Sequence, residues 1–137
     1  MRFSAKEQYA LKVMVELAHR YGQGPVSLRQ VARAQELSRP YLEQVVVPLC
    51  RAGLLRSRRG AYGGYFLARE PEAVTVGDVI RALEGSVVSF KCVVGEEGCE
   101  PCEREGRCPT HIVWRMVREK LAETLDATTL ADLVKEG

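Results

Sequence analysis

Three helical periodicities in the first fifty residues, two strand-like runs around an arginine- and glycine-rich turn near Gly60, and a long apolar-striped segment beyond Thr110 together predict a mainly α chain. They describe a winged helix-turn-helix domain followed by a long C-terminal helix. With 137 residues, 46% hydrophobic and 28% charged, the chain suits one compact domain with an appendage rather than a disordered polymer.

The first helix opens with Ser4 and Glu7 at capping-box spacing. Ala10, Val13, Met14, Leu17, Ala18 and Tyr21 then recur at helical period until Gly22 and Gly24-Pro25 end it. Ser27 and Gln30 repeat the spacing at the head of a short second helix, with Leu28, Val31 and Ala32 as its apolar side and its end near Gln35. Ser38 is placed to cap a third helix with Pro40 in its first turn and Leu42, Val45, Val46, Leu49 and Cys50 as its stripe; Gly53 closes it. Two short helices joined by a tight turn fit a helix-turn-helix. Leu54 to Arg59 and Tyr65 to Leu67 flank Gly60, Gly63 and Gly64, which predicts a two-stranded wing with arginines at its tip.

Pro71 marks a joint, after which Thr75 caps a helix from Val76 to Leu83. A cysteine-rich loop follows. A long helix then begins near Pro109-Thr110 and runs to about Asp126, with Ile112, Val113, Met116, Val117, Leu121 and Leu125 along one side; Thr129 to Lys135 adds a short terminal helix. No neighbouring long helix covers that stripe, so pairing with a second copy of the chain, a homodimer, is the expected solution. The expected divisions are residues 1–70 for DNA binding, 71–91 as connecting helix and linker, 92–111 as the cysteine-rich loop, and 112–137 as dimerisation helix and tail.

Charge separates the same halves. Residues 1–70 carry 12 Lys and Arg against 5 Asp and Glu, whereas residues 71–137 carry 8 against 13. A basic half suited to a polyanion is joined to an acidic half that is not. Lys6, Glu7, Lys12, Glu16 and Arg20 interrupt the opening segment, which is unlike a secretory signal, and no apolar run has the length of a membrane span. A cytoplasmic chain without membrane contact is expected.

On the third helix Arg39, Tyr41, Glu43 and Gln44 are expected to project away from the apolar stripe and reach base edges. Gln suits adenine, Arg guanine, and Glu accepts from cytosine N4. Ser27 and Ser38, at helix starts, suit phosphate contacts, and Arg58 and Arg59 on the wing suit the minor groove or phosphates. Arg29 is a further candidate, with a solvated charge as its plain alternative, the reading given to Arg33 and Arg56. The expected partner is double-stranded DNA with a palindromic operator. Cys50, at core spacing, reads as a small buried hydrophobe, and His19 as a solvent-facing side chain.

Four of the five cysteines and one of the two histidines fall between Cys92 and His111, in the order Cys92, Cys99, Cys102, Cys108, His111. Thiolates and imidazole at this density point to a metal centre, an iron–sulfur cluster or zinc, and an odd cysteine count in a reducing compartment favours metal over a disulfide scaffold. A structural zinc on Cys99, Cys102, Cys108 and His111 is physically sound. A thioredoxin-like redox pair at Cys99 and Cys102 lacks the surrounding βαβ pattern, and no enzymatic activity is expected.

These features resemble the winged-helix iron–sulfur regulators typified by IscR, with the nitric oxide sensor NsrR and the cysteine-metabolism repressor CymR as relatives. The resemblance runs from Met1 to about Leu125. It rests on Tyr9-Ala10-Leu11, Pro25-Val26-Ser27-Leu28, Tyr41-Leu42-Glu43-Gln44, Arg58-Arg59-Gly60 with Gly63-Gly64-Tyr65, Thr75-Val76-Gly77-Asp78-Val79-Ile80, and Cys108-Pro109-Thr110-His111-Ile112-Val113-Trp114. It implies a homodimer paired through the long helix, a repressor-type redox sensor, and a 2Fe-2S cluster on Cys92, Cys102, Cys108 and His111, with Cys99 as the alternative middle ligand. A 4Fe-4S cluster, an all-cysteine site and zinc are the alternatives, and in the NsrR-like branch an acidic ligand on the first helix would correspond to Glu7, with neutral Gln8 beside it. Arg59 matches the wing arginine that probes the minor groove, and Pro40 departs from the family's recognition helix at a position that often carries a hydroxyl. Control of iron–sulfur cluster assembly genes is the implied role.

Overall fold

The computed structural model describes residues 5–84 and 109–136. It is the mainly α winged helix that the periodicities predict. The elements are α1 (Ala5–His19), α2 (Leu28–Gln35), α3 (Arg39–Arg51), β1 (Leu55–Arg58), β2 (Gly64–Leu67), a 3-10 turn (Pro71–Ala73), α4 (Val76–Glu84), α5 (His111–Ala127) and α6 (Leu130–Glu136). Ser4, and with it the expected cap of α1, lies outside the described residues.

Helix α1 is the central strut. Ala10, Val13, Met14 and Leu17 are buried along one side, against Val31 of α2, Leu42, Val45, Val46 and Leu49 of α3, and Leu54 and Leu55 at the root of the wing. Burying an aliphatic side chain of this kind stabilises by roughly 1.5–3 kcal/mol before the entropy of ordering is subtracted, so this stripe fixes where α2 and α3 sit. The core crosses the joint expected at Pro71. Val74 and Val79, and Leu130 from α6, join the same cluster as α1, so the first part of the 71–91 segment and the end of the 112–137 segment pack with residues 1–70.

Strands β1 and β2 pair antiparallel with Leu55 opposite Leu67, Arg56 opposite Phe66, Ser57 opposite Tyr65 and Arg58 opposite Gly64. A third segment joins them: Val26 and Tyr65 exchange backbone hydrogen bonds of 2.9 and 2.8 Å. This bridge ties the wing to the residue before the N-cap of α2. It also explains Gly64, where φ is +155° and a Cβ would run into the Val26 carbonyl.

Helix α4 starts with a reciprocal cap, in which Asp78 N–H donates to Thr75 Oγ1 and Thr75 N–H to Asp78 Oδ2, both at 3.0 Å. Thr129 and Asp132 cap α6 in the same way, at 2.9 and 3.2 Å. The chain between α5 and α6 pairs with the start of α4, Val76 N–H donating to Thr128 O and Leu130 N–H to Val74 O, each at 2.9 Å. Helix α5 is therefore anchored at its C-terminal end. At its other end Ile112, Val113, Trp114 and Met116 are 63, 53, 41 and 59% exposed.

Candidate nucleic-acid interface

Helix α2 begins as its sequence predicts. Gln30 N–H donates to Ser27 Oγ at 3.2 Å, and Ser27 N–H donates to Gln30 Oε1 at 3.0 Å. The Ser27 hydroxyl is thus used as a helix cap, which holds the first turn of α2 and leaves Arg29 on its exposed side. The helix ends on Glu36 in the left-handed region, φ 54° and ψ 48°, with Leu37 N–H reaching back 2.9 Å to the Ala32 carbonyl. This is the turn of the helix-turn-helix.

Ser38 occupies the N-cap of α3, but its side chain makes no capping bond. The expectation of a side-chain cap is corrected: the hydroxyl is exposed at the helix N-terminus, where a phosphate is favoured by free N–H groups. Arg39, Glu43 and Gln44 are exposed, as the stripe predicts. Arg39 and Glu43 face each other one turn apart, Nε to Oε1 3.9 Å, an exposed pair that contributes at most about 1 kcal/mol and so separates readily to meet a base or phosphate.

Tyr41 behaves differently from the expectation. It is half-buried against the core, its ring 4.6 Å from that of Tyr9 and inclined by 48°. The physical reason is helical spacing, since Tyr41 lies one turn before buried Val45 and so borders the apolar stripe. An unforeseen feature of the same helix is Pro48, which α3 passes through before ending at Arg51. Proline has no N–H to give, so the Gln44 carbonyl lacks its usual helical donor.

Arg56, Arg58 and Arg59 are all exposed on the wing. Gly63 permits the tip to close, because a Cβ there would strike the Arg58 carbonyl. Between them stands Tyr62, 92% exposed; sequence reasoning passed over it, although an aromatic residue inside a glycine-rich basic turn was the available signal.

A buried carboxylate stiffens the unit. Glu16 accepts from Arg20 Nε and from Gln35 Nε2, each at 2.9 Å, and so joins α1 to the last turn of α2. Burial pushes its carboxyl up, but the hydrogen bonds from Gln35 and Arg20, with the charges of Arg20 and His19, leave it below its ordinary value. Cys50 is half-buried at the edge of the core, and burial raises its thiol, which suits a packing residue rather than a nucleophile.

Cys92, Cys99, Cys102 and Cys108 lie outside the described residues, as does the side chain of His111, whose backbone opens α5. On α1, Glu7 is buried and engaged within the fold, whereas Gln8 is exposed. No described helix is long and apolar enough to cross a membrane.

Comparison with known proteins agrees with this architecture. CymR of Bacillus subtilis is 47% identical over 133 residues, spanning 97% of this chain and 89% of that protein. IscR of Erwinia tasmaniensis is 41% identical over 134 residues, spanning 98% and 79%. The solved structure of B. subtilis CymR, described as the global cysteine regulator, superposes with a TM-score of 0.79 at 45% identity over 100% of this chain and 98% of that one. IscR of T. potens superposes at 0.80, with 42% identity over 99% and 88%. Residues 3–136 match the model of Rrf2, described as an iron-dependent transcriptional regulator, and the chain belongs to this family of DNA-binding transcriptional regulators.

Proposed function

We propose that this regulator is a cytoplasmic homodimer that binds a palindromic operator, and that an iron–sulfur cluster on Cys92, Cys102, Cys108 and His111 sets its DNA affinity. The observation that carries the reading is the donor series Cys92, Cys99, Cys102, Cys108, His111, which runs directly into the first turn of α5. The donor set fits the group: three thiolates and an imidazole are the ligands that hold a 2Fe-2S cluster, with Cys99 in reserve as the middle ligand. When bound, the cluster supplies a centre that oxidants, nitric oxide or iron shortage remove.

Helix α5 is the element that such a centre acts upon. Its C-terminal end is fastened to α4, while Ile112, Val113, Trp114 and Met116 offer an exposed apolar face near the ligand series. Pairing that face with its counterpart in a second copy would bury it and space two recognition helices for a twofold operator. A coupling of roughly 1–3 kcal/mol between ligation and α5 changes DNA affinity about 5- to 150-fold, sufficient for a switch. Genes of iron–sulfur cluster assembly are the fitting targets.

The likeness to CymR, a cysteine regulator, supports a second reading in which the chain governs sulfur genes and the loop thiols hold zinc or no metal. Anaerobic purification with iron, sulfide and zinc assays separates the two. Coloured protein with matched iron and acid-labile sulfide is expected; colourless protein that still binds DNA would overturn the cluster reading.

A further inference from the structure

We propose that Arg20, Arg29 and Arg33 form a seat for the DNA backbone, extending the interface along α2 beyond the recognition helix and the wing. The three side chains line an open concavity of about 330 Å³ with Gln30 and Ala34. Arg29 and Arg33 stand one turn apart on the exposed side of α2, a like-charge spacing that works against an isolated helix, and neither has an ion-pair partner among the described residues. Arg20 reaches the same hollow from the end of α1 and is held there by buried Glu16, itself fixed by Gln35. No acidic residue occurs between Glu16 and Glu36, or between Glu43 and Glu70.

The occupant follows from how that charge is laid out. Arg29 is in the first turn of α2, two residues after Ser27, and the residue before Ser27 is hydrogen-bonded into the wing through Tyr65. Exposed arginines therefore continue from Arg58 and Arg59 to α2 across a hydrogen-bonded bridge. Two arginines one helical turn apart, unpaired among the described residues, with the Glu16-bound Arg20 across an open hollow, suit successive phosphates of a strand better than one enclosed anion. Arg33, read from the sequence as a solvated charge, becomes a positioning residue.

The seat rests on the DNA-binding reading, and its test keeps the two apart. Wild-type protein selects a duplex from a random pool, and binding is measured across a salt series for the wild type, Arg33→Ala, the Arg29→Ala/Arg33→Ala double variant and Arg59→Ala. Alanine favours the helix, so α2 is not at risk. Arg33→Ala should weaken binding roughly 3- to 10-fold and flatten the slope of log K against log salt by about 0.9 for each phosphate left without its arginine. The weakening should be equal on an unrelated duplex and should vanish when the flanks outside the half-sites are trimmed. An unchanged slope in the double variant, beside weakened binding in Arg59→Ala, overturns the seat. If polyglutamate then binds the wild type but not the double variant, the hollow belongs to an acidic protein instead. Failure to select any duplex overturns the DNA-binding reading itself.

Discussion

Arg81 Nη2 in α4 donates to both carboxylate oxygens of Asp126 in the last turn of α5, beside Gly77, where an added Cβ would strike the Asp126 side chain. The Asp126 carboxylate occupies the space that a side chain on Gly77 would take. The base of α5 is thereby held to α4, whose Val79 belongs to the core beneath the helix-turn-helix.

Gly77→Ala should turn the Asp126 carboxylate aside yet change stability by less than about 1 kcal/mol, because that carboxylate is the exposed end of a flexible side chain and alanine is the better helix former. Arg81→Ala should cost no more than about 1 kcal/mol, because the pair is 38% and 42% exposed and solvent screens it. Urea unfolding of both variants checks this; a loss above about 2 kcal/mol in Gly77→Ala alone would mean that the close approach of α4 and α5, not the ion pair, holds them together.

Glu16 gives the fold a pH dependence of definite sign. Its folded-state carboxyl lies below the ordinary 4.5, through hydrogen bonds from Gln35 and Arg20 that outweigh burial. A depressed carboxylate stabilises above its unfolded value and loses that contribution as pH falls through the folded one. Glu16→Gln should cost about 1–3 kcal/mol at neutral pH, with the deficit shrinking below about pH 4.5. A deficit that stays constant on acidification would show that packing, rather than charge, is what Glu16 contributes.

At the turn between α2 and α3, Glu36 adopts φ 54°, a left-handed conformation that costs a side-chain-bearing residue roughly 1–2 kcal/mol. Glycine removes that cost and loses part of the gain to the greater freedom of its unfolded chain. Glu36→Gly should therefore raise stability by about 0.5–1 kcal/mol, read from the shift in the urea midpoint. A decrease would reveal a role for the carboxylate itself.

Cys92→Ala should abolish the visible absorption of anaerobically purified protein, whereas Cys99→Ala should retain it. The opposite pattern would move the middle of the ligand set to Cys99 and remove Cys92 from it.

Most of α1 to β2 was legible because its signals are local. Apolar residues three and four apart, Ser27 three residues before Gln30, and glycines between arginines each act within a turn or two. What was missed depends on contacts distant in sequence. Glu16 resembles any helix-surface glutamate until Gln35 is brought beside it, although its place between Val13 and Leu17 on the buried stripe was a clue. The Val26–Tyr65 bridge pairs residues 39 positions apart, and Leu130 is buried by α1 and the α4 entry from the opposite end of the chain. Tyr41 shows a subtler limit: at the border of a stripe, spacing does not decide between core and solvent, and the ring of Tyr9 draws it halfway in.

Leu130 also orders events during synthesis. It is fully buried in the core that positions α2 and α3, yet it leaves the ribosome after Cys92 to His111 and after the whole of α5. A nascent or prematurely terminated chain can carry the recognition helix and wing while its core is still open. Every copy with a closed core therefore already possesses residues 92–111 and the whole of α5, and a chain cut short of Leu130 is the less stable one.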